Sequence, residues 1–365
     1  MHFDRLASTL RLTTIAAVVF GSAALPAQTP QASGARLQAP AKSDARGPRP
    51  EARKWLPART PWGDPDLQGA YTNKDENGIP MERPSQFQGK TIDQVQQSEL
   101  ADIVRQRQQD ATERAPGIGG AETGAGPVHW YEYYGAKNSR PWLIVDPADG
   151  RIPSLTPEAQ QRAAALRAAR QGRGEADSPD DRSLYDRCIT RGVPGSMMPA
   201  IYGNSYQIVQ GPGMVAIVYE MIHETRVIPI QGGPHVRTSI DLDMGDARGR
   251  WEGDTLVVET RNFKERSVYR NANPETLKLT ERFTRIGPDK VKWSVTVEDP
   301  STWTRPWTYA MPLTMNDGEP LMPYECHEGN YGLKNILSAA RADERAALAG
   351  GTGASNDPSA PADER

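Results

Sequence analysis

The chain has 365 residues, in which 43 Lys and Arg face 46 Asp and Glu for a formal net charge of −3. The charges interleave rather than gather into blocks, so the basic footprint of a nucleic-acid binder is missing. With 31 Pro and 33 Gly the chain is rich in turns, which suits an all-β or loop-heavy fold.

The first segment reads as an export signal. Arg5 and Arg11 supply the basic region, Thr13 to Leu25 (TTIAAVVFGSAAL) is apolar, and Ala24 and Ala27 offer small residues for cleavage. The apolar stretch of about thirteen residues falls short of the roughly 20 that a spanning helix needs. No later segment is apolar enough to span, and no cysteine lies near the cut. The expectation is a signal peptide over residues 1–27 and a periplasmic or secreted mature chain. Residues 28–58 are dominated by Pro, Ala and charge and read as a disordered leader; residues 350–365 read as a disordered tail.

Residues 59–204 read as a helical, loop-rich layer. Ile92 to Arg114 has helix formers with apolar residues at Ile92, Val95, Leu100, Ile103 and Val104. Thr156-Pro157-Glu158 gives a helix cap with proline in the first turn, and the helix continues to Gly172. Between them Gly117 to Pro127 is a loop; with no GK[ST] after it, a phosphate cradle is not indicated.

From Ser205 the pattern changes to strands: SYQIVQG, MVAIVYEM, ETRVIPI, TLVVETRNF, LKLTERFTRI, DKVKWSVTVED and TRPWTYAMPL. Each alternates apolar with polar residues and is rich in β-branched and aromatic types. In the sixth, Val291, Trp293, Val295 and Val297 share one face. Glycine and proline turns at 211–213, 232–234, 252–254 and 287–289 separate the runs at short intervals. Sequential antiparallel pairing follows, and closing the meander into an up-and-down β-barrel removes its exposed edges. The fold class is therefore mainly β, a barrel over residues 205–349 ending in a helix at Asn335 to Leu348, with a β-sandwich as the alternative. Upstream, Gly69-Ala70-Tyr71 resembles the Gly-x-Trp strand that opens lipocalin-like barrels.

His223-Glu224 opens a zinc-protease signature, but HExxH needs a second histidine at position 227, which is Val. The surrounding Val, Ile and Tyr favour a strand, in which His223 shares a face with Tyr219 and Val227, and Glu224 shares the other with Arg226. A strand from 214 to 230 would span about 55 Å, so a break is expected between Glu220 and Thr225.

After the signal the histidines are His129, His223, His235 and His327. Acid–base chemistry is assigned to His223, His327 and Glu328, since imidazole titrates near neutral pH. Several histidines with Glu can bind a divalent metal, yet the spacing does not demand it, and neither metal nor cofactor is assigned. The loop CITRGVPGSMMPAIYGNSYQ supplies Arg191 as an anion anchor and Tyr202 as a stacking group. Arg226, His235, Trp251 and Tyr331 complete the expected ligand-binding set. Cys188 and Cys326, the only cysteines of an exported chain, form a disulfide. Closing so long a loop contributes about 4–5 kcal/mol on the chain-entropy model. Gly195-Ser196-Met197 lacks the glycine of a hydrolase elbow. Asp241, Asp243 and Asp246 sit in a polar stretch and read as surface residues.

The strings TPWGDPDLQG, DRSLYDRCITRGVPG, YQIVQGPG, RWEGDTLVVET and YECHEGNYGLKNIL, spread from about Thr60 to Arg341, resemble an uncharacterised family of exported proteins from soil and other environmental bacteria. The resemblance implies export and a shared fold, and no reaction or residue roles. The leading expectation is an exported barrel that binds a small molecule in or at its mouth. The alternatives are an enzyme (hydrolase, lyase or isomerase) using His/Glu acid–base chemistry, and a structural or interaction protein.

Overall fold

A computed structural model describes residues 55–113 and 139–349, apart from 201, 238 and 320. The expected signal peptide, most of the expected leader, the Gly117–Pro127 loop, His129 and the expected tail lie outside these residues. Chain contacts divide the protein into Met1–Arg53 and Lys54–Arg365, and the fold is that of the second unit. No described helix is long and apolar enough to cross a membrane.

Ten strands make one sheet: β1 (Gly69–Thr72), β2 (Ile144–Asp146), β3 (Ser205–Gly211), β4 (Met214–Tyr219), β5 (Thr225–Pro229), β6 (Asp246–Glu252), β7 (Thr255–Arg261), β8 (Lys278–Gly287), β9 (Lys290–Glu298) and β10 (Trp307–Met315). The order is β5-β4-β3-β1-β10-β9-β8-β7-β6, with every neighbouring pair antiparallel. β1 is short, and β2 pairs with the part of β10 that β1 leaves open, at Thr308 and Tyr309. Residues upstream of 205 thus contribute to the barrel wall as well as to the layer around it. The helices are α1 (Gln97–Glu113), α2 (Pro157–Arg170) and α3 (Gly332–Leu348). The Thr156 hydroxyl caps α2 by accepting from the Ala159 amide. At α1, Thr91 forms a capping box with Gln94 that closes a separate 3-10 turn, so the helix starts at Gln97 rather than at Ile92.

The sheet curls until its two ends meet. Following the antiparallel steps along the nine-strand path, β5 and β6 run the same way. An odd ring cannot be antiparallel throughout, so one junction must be parallel. That junction is the Ile230↔Gly249 parallel bridge, reinforced by the Gln231 amide donating to the Gly249 carbonyl at 2.9 Å. Gly249 is what lets the ends approach: a Cβ there would lie 2.6 Å from Ile230 Cδ1 and 2.9 Å from Ile228 Cγ2. The result is an up-and-down barrel, nearly closed, with a single parallel seam.

Alternation fills the interior. Val291, Trp293, Val295 and Val297 of β9 are all fully buried, as are Leu279 and Phe283 of β8 and Trp307, Tyr309 and Leu313 of β10. Aromatic rings meet edge to face, Trp293 with Tyr309 at 5.9 Å and Trp303 with Trp307 at 5.7 Å, an arrangement that adds to simple area burial.

The chain breaks where strand length requires it, in a turn at Met221–His223 with positive φ at Ile222 and His223. The turn resets the alternation. Arg226 does not lie with Glu224 on the face opposite Tyr219; it points inward together with Tyr219. There Arg226 Nη1 lies 2.6 Å from Glu281 Oε2, with both side chains almost wholly withdrawn from solvent. Arg226 Nη2 donates to Thr260 Oγ1 at 2.6 Å, and Trp293 Nε1 donates to Glu281 Oε1 at 3.2 Å. Burial alone would lower the guanidinium pKa, but the facing carboxylate and the Tyr219 oxygen hold it above its ordinary value.

Substitutions at three positions test this interior. Gly249→Val drives a branched side chain into Ile228 and Ile230 and should cost about 1–3 kcal/mol in urea unfolding; wild-type stability would mean the strand ends do not meet there. Removing one partner of the buried pair, as in Arg226→Met, should cost about 3–5 kcal/mol, while Arg226→Met with Glu281→Met should recover much of the loss. A double mutant no better than the single would show that the charges are not compensating each other.

Candidate functional site

The seam opens into a cleft of about 340 Å³ lined by Gln231, Gly232, Gly233, Pro234, His235, Arg248, Gly249, Arg250 and Glu259. Strand geometry supplies one wall: on β6, Arg248 and Arg250 alternate with the inward Ala247 and Gly249. The other wall is the Gly-Gly-Pro bend that follows β5. Across it, β7 contributes Glu259 opposite Arg248.

Asp246, at the start of β6, organises the cleft. It is buried, and its carboxylate accepts from His235 Nδ1 at 2.9 Å, the Val236 amide at 2.9 Å and Arg248 Nη1 at 2.6 Å. With Nδ1 held by Asp246, Nε2 is the ring nitrogen left to meet the cleft, 3.4 Å from Glu259 Oε1. Burial works to raise the Glu259 carboxyl, but the Arg261 guanidinium bonded to it, with Lys278 and His235 nearby, holds it below the usual range. Asn262 Nδ2 donates to the Val236 carbonyl at 3.0 Å, and the Leu242 amide donates to the Asn262 carbonyl at 3.0 Å. Residues 231–245 are thereby stitched along β6 and β7.

The expectation of Asp246 as a surface carboxylate is overturned: it is buried because it carries the bonds that shape the cleft. Its stretch reads as polar because the β6 residues turned inward nearest the seam are the small Ala247 and Gly249, leaving little apolar alternation to recognise there. Of the expected ligand-binding residues, His235 lies in the cleft and Arg226 inside the barrel. Trp251 is half-buried against the core.

A second grouping forms around the disulfide. Cys188 and Cys326 are bonded with Cα atoms 5.8 Å apart, and the bond sets Tyr324 beside Tyr185. Tyr185 Oη lies 3.0 Å from Tyr202 Oη and 3.2 Å from Tyr324 Oη. The Arg191 guanidinium stacks on the Tyr185 ring, 5.6 Å from its centroid. The loop carrying Arg191 and Tyr202 is anchored to the barrel by Val193 and Met197, both in the core. So Arg191 and Tyr202 come together, and Tyr185 and Tyr324, absent from the sequence expectation, join them. Proximity of Tyr185 and Tyr324 to the two cysteines was the available signal.

His223 is exposed on the β4–β5 turn; Glu224 beside it accepts from Thr190 Oγ1 at 2.9 Å. His327 and Glu328 are exposed on the segment after the disulfide, and Tyr331 is 64% exposed with the Lys334 ammonium over its ring. Among the described residues no three His, Cys, Asp or Glu side chains are grouped to hold a metal ion. No protein-family model, curated protein or solved structure matches the chain.

Asp246→Ala removes three bonds at once and leaves buried donors unpaired, at about 1–3 kcal/mol. Trypsin should then cut after Arg237 several times faster than in the wild type. Unchanged cleavage would mean that Asp246 does not hold residues 231–245 in place.

Proposed function

We propose that this chain is an exported β-barrel protein that binds a small, neutral, polar molecule in the seam cleft. The observation carrying this is the open notch at the seam and the polar groups that line it. Its chemistry selects the ligand. The cationic groups are already balanced, Arg248 by Asp246 and Arg250 by Glu252, so the cleft offers hydrogen-bond donors and acceptors without a strong net charge. Gln231, Arg248 and Arg250 donate; Glu259 accepts. Such a set suits vicinal hydroxyls, as on a monosaccharide. The barrel lumen is the poorer place for a ligand, because Trp293, Tyr309 and Trp307 occupy it. Disulfide bonding and the leader sequence support export.

A second reading rests on His235. An imidazole oriented at Nδ1 by a buried carboxylate, with Nε2 turned to the ligand side, is suited to moving a proton, which would make the protein an enzyme on the same small molecule.

Saturation-transfer NMR against a panel of monosaccharides and their uronic acids distinguishes these. The neutral sugars should show transfer, and Glu259→Gln should weaken binding about tenfold, the loss of one charge-assisted hydrogen bond of about 1.5 kcal/mol. Conversion of a bound sugar during the experiment would favour the enzyme. An absence of transfer across the whole panel, or binding indifferent to Glu259→Gln, would contradict a ligand in the cleft.

A further inference from the structure

Arg191 stands apart from the other buried or half-buried arginines. Arg226 and Arg248 meet carboxylates, and Arg285 donates to main-chain carbonyls. The Arg191 guanidinium has no hydrogen bond or ion pair among the described residues, and its Nη1 is buried without a partner. Leaving one buried guanidinium N–H group without an acceptor is unfavourable. Its one stacking contact, with Tyr185, fixes the plane of the fork but satisfies none of its donors.

Glu224, which meets the Arg191 main chain, does not supply the missing partner. Glu224 Oε2 accepts from the Thr190 hydroxyl at 2.9 Å and approaches the main-chain amide of Arg191 at 3.4 Å, not its guanidinium. Burial also pushes the Glu224 carboxyl above its usual range, against the bonds from the Thr190 hydroxyl and the Arg191 amide. Around the guanidinium stand phenols instead. Burial holds both Tyr185 and Tyr324 above the usual phenol range, so they remain protonated. Two of the cluster's three hydroxyl protons are spent on the Tyr185–Tyr202 and Tyr185–Tyr324 bonds, so at most one is left for a ligand. A planar guanidinium fork beside a neutral O–H donor is the donor geometry that recognises a carboxylate or a phosphate.

We propose that Arg191 and the Tyr185–Tyr202–Tyr324 cluster it stacks on form an oxyanion-binding site, separate from the seam cleft and held together by the Cys188–Cys326 disulfide. The site takes the carboxylate or phosphate group of a small ligand. It does not depend on the cleft being occupied.

The test is thermal unfolding of the full chain titrated with sodium acetate and, separately, inorganic phosphate, with sodium chloride holding ionic strength constant. A saturable rise in Tm with either anion is expected, and which of the two binds tighter identifies the group. Arg191→Gln should weaken the midpoint at least tenfold, whereas Arg305→Gln, which removes the same charge from an exposed position paired with Asp146, should not move it. Tyr202→Phe keeps the ring and removes one donor; it should weaken the midpoint severalfold and serves if Arg191→Gln fails to fold. No saturable shift with either anion overturns the proposal, as does a shift that survives both Arg191→Gln and Tyr202→Phe. Failure here leaves sugar transfer at the cleft untouched, and the reverse also holds.

Discussion

The parity of the strand ring constrains everything else in this fold. Eight antiparallel steps connect nine strands along the path from β5 to β6, so the ends arrive parallel and cannot zip together as the other pairs do. A long, flat parallel junction would need a crossover on the sheet face. This chain instead makes a brief contact, one bridge at Ile230 and Gly249, and sends residues 231–245 along the outside. The cleft follows from that choice. Where two strands touch at a point and then diverge, a notch remains, and the side chains of β6 and β7 that would have been covered by a neighbour are left to face it.

The same constraint explains why charge is concentrated on either side of the wall. Outside, Asp246 replaces missing ladder bonds by gathering His235, Val236 and Arg248. Inside, the Arg226–Glu281 pair connects β5, on one side of the seam, with β8, across the barrel, through Thr260 of β7. A buried pair of this kind is poor evidence of net stability, but its geometry is specific: it can form only when β5 has been brought round to face β7 and β8. A sheet that failed to curl would leave both charges without partners. The disulfide acts at longer range in sequence, tying the segment after β10 to the loop before β3.

Much of the barrel was legible because alternation is a local signal. β9 declares its inner face in Val291, Trp293, Val295 and Val297, and each is buried. The break before Thr225 was legible from length alone, since no strand of that extent fits a small barrel. The two cysteines left only one intrachain pairing to consider. What alternation cannot carry is a change of parity at a tight turn, and this is why Arg226 was placed on the wrong face. Nor does it carry the first half of β6, whose inner positions Ala247 and Gly249 are small where the seam demands close approach. The candidate site depended on these two features. His235 was identifiable as a ring with chemical potential, but its partner Asp246 looked like one of several solvated acids until the strand was closed around it. Tyr185 and Tyr324 lie far apart in sequence, and only the crosslink brings their hydroxyls together.

Closure at the seam is the claim on which the cleft, the buried pair and the role of Asp246 all stand. Amide hydrogen exchange of Gln231, followed by NMR, reports on it directly, because that amide donates across the junction to Gly249 while the Gly232 and Gly233 amides next to it make no such bond among the described residues. A closed barrel protects Gln231 to nearly the level of the central β9 amides. If it exchanges as fast as its two glycine neighbours, the sheet is open and the cleft described at its junction does not exist.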